Sequence, residues 1–149
     1  MQKRQIVSAL LTSVLAAGAF VGVTSGTAQA ASGSSCSAWT IAQNIKFRGC
    51  IQWSGTTADR AYTEAQNISG IPHEVAIRAT LQDDEGNQLA SKREVRTLAN
   101  NASFKVYTAW VDDYTWGPEK ASGSSAVRYV WQQNFGTSFA SGWAFEPWY

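Results

Sequence analysis

Two runs of alternating residues meet at an acidic turn in the middle of the chain. Val75, Ile77, Ala79 and Leu81 alternate with Glu74, Ala76, Arg78 and Thr80. Asp83-Asp84-Glu85-Gly86-Asn87 follows, and Leu89, Ser91, Arg93 and Val95 resume the period of two. A two-residue period sends successive side chains to opposite faces of a pleated strand. Two such runs around a Gly-containing turn predict a β-hairpin.

The same period recurs along the chain. From Lys46 to Trp53, Phe47, Gly49, Ile51 and Trp53 fall on one face and Arg48, Cys50 and Gln52 on the other. Ala61 to Ile68 reads as a second strand, with Tyr62, Glu64, Gln66 and Ile68 on one side. Phe104 to Val111 is another, ended by Trp116-Gly117-Pro118. Glu119 to Ser125 reads as a Gly/Ser-rich loop. Ala126 to Gln132 returns to strand, and Phe135 to Tyr149 holds one more irregular strand. Ser37 to Asn44 fits a short strand or a turn of helix. Short strands, frequent breaks and no helical period predict an all-β fold. The expected form is an antiparallel β-sandwich, immunoglobulin-like or similar, with a barrel as the alternative.

The first thirty residues stand apart. Met1-Gln2-Lys3-Arg4 is basic, Ile6 to Val23 is apolar and uncharged, and Ala28-Gln29-Ala30 is a small-x-small cleavage pattern. This order is that of a secretory signal peptide. Residues 1–30 are therefore read as a signal, and residues 31–149 as a single domain that works outside the cell. No later segment is apolar enough to span a bilayer.

Export bears on the two cysteines. Cys36 and Cys50 both survive signal removal, and two cysteines in an exported chain predict a disulfide. The loop closed is worth about 3 kcal/mol in the chain-entropy model. Two cysteines and one histidine are too few for a tetrahedral metal site, and no metal or cofactor is expected.

Charge excludes other partners. The chain has 12 basic and 11 acidic residues, and removing Lys3 and Arg4 with the signal leaves ten basic residues and a net charge of −1. Nucleic acid and anionic membranes both call for a concentrated positive balance. Neither is an expected partner of the mature domain.

The candidate chemistry is sparse. Asp83 to Asn87 resembles a calcium loop, but counting from Asp83 puts Gln88 where an EF-hand needs its glycine. A turn explains Gly86 and Asn87 better. His73 is the only histidine and reads as a surface loop residue. No Gly-x-Ser-x-Gly elbow accompanies it. Asp112 and Asp113, with Glu64, Glu94 or Glu146 as a partner, could form the carboxylate pair of a glycosidase. Adjacent strand residues face opposite ways, however. Asn67-Ile68-Ser69 and Asn101-Ala102-Ser103 have the form of glycosylation acceptors. No nucleophile–base set is evident, and the domain reads as non-enzymatic.

Aromatic residues carry the functional expectation. All seven tryptophans lie beyond the signal, and the C-terminal stretch crowds Trp131, Phe135, Phe139, Trp143, Phe145, Trp148 and Tyr149 among Gly and Ser. Rings on such loops anchor protein partners or stack on sugars. The expected binding residues are Trp116, Trp143, Trp148 and Tyr149.

The signal, the Cys36…Trp39…Arg48-Gly49-Cys50-Ile51 arrangement and the Asp83-to-Ser91 hairpin resemble small exported proteins of Gram-positive filamentous bacteria. That resemblance implies a protease inhibitor or an adaptor subunit of a secreted toxin particle, and assigns no residue a role. The sequence therefore predicts a secreted, non-enzymatic domain that engages another extracellular protein. A carbohydrate-binding module is the alternative, and a small glycan or cell-wall hydrolase comes third.

Overall fold

A computed structural model describes residues 32–55, 58–112, 119–128 and 132–146. Residues 1–30, expected from the sequence to be a signal peptide, lie outside them. Eleven strands and no helix are described: β1 (Gly33–Cys36), β2 (Thr40–Ala42), β3 (Ile45–Ser54), β4 (Ala58–Asn67), β5 (His73–Gln82), β6 (Gln88–Leu98), β7 (Ser103–Tyr107), β8 (Val111–Asp112), β9 (Lys120–Arg128), β10 (Phe139–Ala140) and β11 (Ala144–Phe145). Among the described residues no helix is long and apolar enough to cross a membrane.

The strands form two antiparallel sheets. The first runs β1-β3-β4-β7, with β2 also on β3 and β8 also on β4. The second runs β10-β9-β5-β6, with β11 also on β9. The sandwich and its all-β class follow the sequence reading. Cys36 and Cys50 form the expected disulfide, and they are directly opposed on β1 and β3. This bridge joins neighbours within one sheet, whereas the immunoglobulin hallmark links the two sheets.

The core is split in two. Ile45, Phe47, Ala65, Val75, Ile77, Phe104, Val106 and Val127 make one cluster. Ile51, Trp53, Ala61, Ala79, Leu81, Ala121 and Ala144 make the other. Between them lies a waist of small residues: Gly49 on β3, Thr63 on β4 and Gly123 on β9. A Cβ on Gly49 would sit 2.5 Å from the Gly123 nitrogen, and one on Gly123 would sit 2.6 Å from Thr63 Oγ1. Thr63 Oγ1 donates to the Arg78 carbonyl at 2.8 Å, tying the sheets together at this point.

The waist explains the largest departure from the sequence reading. Residues 119–125, expected as a loop, lie mostly within β9, at the centre of the second sheet between β5 and β10. Its inward residues are Ala121, Gly123, Ser125 and Val127, small because the opposite sheet is so close. A second departure is at Thr108. Its amide donates to the Ala61 carbonyl at 2.9 Å and its hydroxyl accepts from the Ala61 amide at 3.0 Å. One residue thus meets both backbone groups of Ala61, and the expected strand 104–111 divides into β7 and β8.

Candidate functional site

The outer face of the first sheet is built in rows by the strand register. Arg48, Glu64 and Lys105 lie opposite one another across β3, β4 and β7. Glu64 holds Arg48 at 2.9 Å and Lys105 at 3.8 Å. The next row is Cys36, Cys50, Tyr62 and Tyr107, in which the tyrosine rings stack with centroids 5.1 Å apart. In the third row Gln52 accepts from Arg60 Nε at 2.9 Å.

Aromatic rings and cations alternate over these rows. The Arg60 guanidinium lies 4.4 Å from the Tyr107 ring and 4.4 Å from the Trp110 ring. At the opposite end Trp39 takes Arg48 at 4.2 Å and Lys46 at 4.5 Å. Trp39, Tyr107 and Trp110 remain 38%, 38% and 43% exposed. Four cations, Lys46, Arg48, Arg60 and Lys105, share the face with Glu64 and, at its rim, Asp112. The domain is close to neutral, so this face concentrates positive charge beside open rings. Tryptophan, tyrosine and arginine are the residue types that dominate protein-binding hot spots. Cation–ring stacking also orders the rings before any partner arrives.

The sequence reading passed over this face. Alternation alone sends Arg48, Tyr62 and Glu64 outward, but which of them meet depends on cross-strand register. Arg60 is beyond the expected start of its strand, and Trp39 and Trp110 lie outside β2, β7 and β8.

Of the residues expected to bind, Trp116, Trp148 and Tyr149 lie outside the described residues. Trp143 is described and 42% exposed, with Lys120 Nζ 5.4 Å from its ring. It belongs to an arm that pairs with β9 through β10 and β11 while Phe139 and Phe145 point outward, 39% and 55% exposed. Ala144 is buried in the second core cluster. The arm therefore closes the sandwich with its backbone and small residues and leaves large rings outside.

The acids proposed as a catalytic pair do not meet. Glu64 is tied to Arg48, Glu94 to Arg96 at 3.2 Å, and Asp112 sits at the exposed end of β8. Asp113 lies outside the described residues. A different acid group converges instead: Asp59, Glu119 and Glu146, all buried, have carboxylate oxygens within 4.8 Å of one another. Asp59 lies on β4, Glu119 immediately precedes β9 and Glu146 immediately follows β11, and the Glu146 amide donates to the Glu119 carbonyl at 3.1 Å. Such oxygens form the hard ligand type that calcium takes. Glycosidase carboxylates, by contrast, flank an open substrate cleft about 5 Å or more apart, and this group is buried.

Other sequence expectations resolve locally. Asp83 to Asn87 is a turn: Asp83 accepts from the Asn87 amide at 2.7 Å and from Asn87 Nδ2 at 2.9 Å. The Asn87 side chain, aided by the Asn87 and Gly86 amides and by Lys120, holds the Asp83 carboxyl below the usual aspartate range. His73 is a correction. It begins β5 opposite Leu98 and is buried, because the register turns it inward at the end of the sandwich. Asn67 is fully buried, and its amide group donates to the Ile71 and Leu98 carbonyls at 2.7 and 2.9 Å, so its side chain is closed to a glycan in the folded protein. Asn101 lies on an exposed turn with φ 63°.

No protein-family model matches the chain, and no curated protein matches its sequence. Among solved structures, a β-glucuronidase of glycoside hydrolase family 2 overlaps 72% of this chain and 10% of its own, with a TM-score of 0.38 and 12% identity. That likeness is too slight to bear on activity.

Proposed function

We propose that the protein is a secreted, non-enzymatic binding domain whose partner is another extracellular protein with an acidic contact surface. The observation that carries this reading is the Tyr107–Arg60–Trp110 stack, continued across the outer face of the first sheet to Trp39 with Arg48 and Lys46. Exposed rings supply apolar area at low entropy cost, and the cations steer an acidic partner onto them. The export signal and the disulfide support an extracellular setting. An inhibitor or adaptor role agrees with the resemblance to small exported bacterial proteins.

The test is capture of a stoichiometric partner from the producer's culture supernatant, with Trp110→Ala, Arg60→Ala and Trp143→Ala compared. Loss in the first two and retention in the third assigns the outer face. Loss in Trp143→Ala alone moves the site to the C-terminal arm.

A carbohydrate is the second reading, favoured by one feature. Gln52 and Arg60 place polar groups beside the exposed Tyr107 and Trp110 rings, as sugar stacking requires. Binding to purified polysaccharides without a protein partner would support it.

A further inference from the structure

The outer face of the second sheet holds a cavity of about 270 Å³, and two arginines on neighbouring strands line it. Arg78 on β5 is directly opposite Arg93 on β6. Like charges in this relation repel and destabilise the strand pair. Both side chains line the cavity, together with Ser124, Ser138 and Phe135.

The acids on the same two strands are engaged elsewhere. Glu74 takes the Arg128 guanidinium, with Nε at 3.1 Å, and Glu94 takes Arg96. Among the described residues neither Arg78 nor Arg93 has a carboxylate partner. The neighbouring outward positions are Ala76 and Ala126, whose small side chains leave the space open. Phe135 forms a wall, its centroid 5.2 Å from the Arg93 guanidinium and 5.1 Å from that of Arg128.

We infer that this cavity is a binding site for a small oxyanion, a carboxylate or phosphate carried on a group about the size of one ring. The guanidinium forks match such oxyanions two bonds at a time. Ser124 and Ser138 can donate further bonds, and Phe135 with the two alanines accepts the apolar body. A bound anion also removes the repulsion between the arginines. This site is on the opposite sheet from the proposed partner surface and stands or falls separately from it.

The experiment is titration of the secreted chain at constant ionic strength with benzoate, with inorganic phosphate and with benzyl alcohol as the uncharged control. The readout is the NMR signals of the arginine Nε–H groups. The expected result is saturable shifts at Arg78 and Arg93 with at least one of the two anions and none with benzyl alcohol. Saturation by benzoate alone assigns the ligand to carboxylates, and saturation by phosphate alone assigns it to phosphates. Arg78→Gln and Arg93→Gln each weaken binding at least tenfold, with near-ultraviolet circular dichroism showing that the fold persists. No saturable shift with either anion, or binding as tight as wild type in both variants, would overturn the assignment.

Discussion

Gly49 of β3 and Gly123 of β9 meet across the sandwich so closely that a methyl group on Gly49 would lie 2.5 Å from the Gly123 nitrogen. Stacked sheets are ordinarily about 10 Å apart with side chains between them. Here backbone meets backbone, and Ser141 spans the contact: its hydroxyl accepts from Gly123 N at 2.9 Å and from Gly49 N at 3.2 Å. At Gly49 the obstruction is main chain, which cannot swing aside; at Gly123 it is the buried Thr63 side chain, held by its bond to the Arg78 carbonyl. Gly49→Ala and Gly123→Ala should each lose about 3 kcal/mol or more in denaturant melts. Ser141→Ala should lose about 1–3 kcal/mol by removing a shared acceptor. Wild-type stability in either glycine variant would contradict the close approach.

Asn67 ties the end of β4 to the loop before β5 and to the end of β6. It donates to the Ile71 and Leu98 carbonyls and accepts from the Ser69 amide at 2.9 Å. Asn67→Ala should cost about 2–3 kcal/mol, because buried backbone groups lose their partners. In a glycosylating host, mass spectrometry of the folded product should find glycan on Asn101 and none on Asn67.

How far the fold could be read in advance depended on what each strand packs against. β3, β4 and the β5–β6 hairpin show their alternation because apolar residues fill one face. β9 does not, since the waist demands Gly and Ser at positions where a sequence reading expects a loop. His73 looked like a surface residue because only the register with Leu98 turns it inward. The candidate site was less legible still. Tyr62 meets Tyr107, and Arg60 reaches Trp110, through pairings between segments about fifty residues apart, which no local pattern encodes.

The Cys36–Cys50 bridge closes a short loop between adjacent strands. The double variant Cys36→Ser/Cys50→Ser should lose about 3 kcal/mol. The wild type under strong reductant should melt at the same temperature as that variant. A variant as stable as the oxidised protein would show that the bridge constrains little of the unfolded chain.

Asp83 gives the hairpin turn a defined acid response. Its folded pKa is lowered, chiefly by the Asn87 side chain. Its stabilisation is therefore complete above the unfolded value of about 3.9 and is lost as pH falls through the lower folded value. Melting temperatures of wild type and Asp83→Ala should differ by a constant amount from about pH 5 upward and converge below about pH 4. A gap that widened toward acid would reverse the assigned sign.

The outer face of the first sheet is the proposed binding surface of this domain. The most direct measurement is the affinity of Trp110→Ala and Arg60→Ala for the captured extracellular partner, by calorimetry at low and high salt. At least a tenfold loss is expected in each, about 1.4 kcal/mol or more. Wild-type binding should also weaken as salt rises. Unchanged affinity in both variants, with binding insensitive to salt, would contradict that proposal.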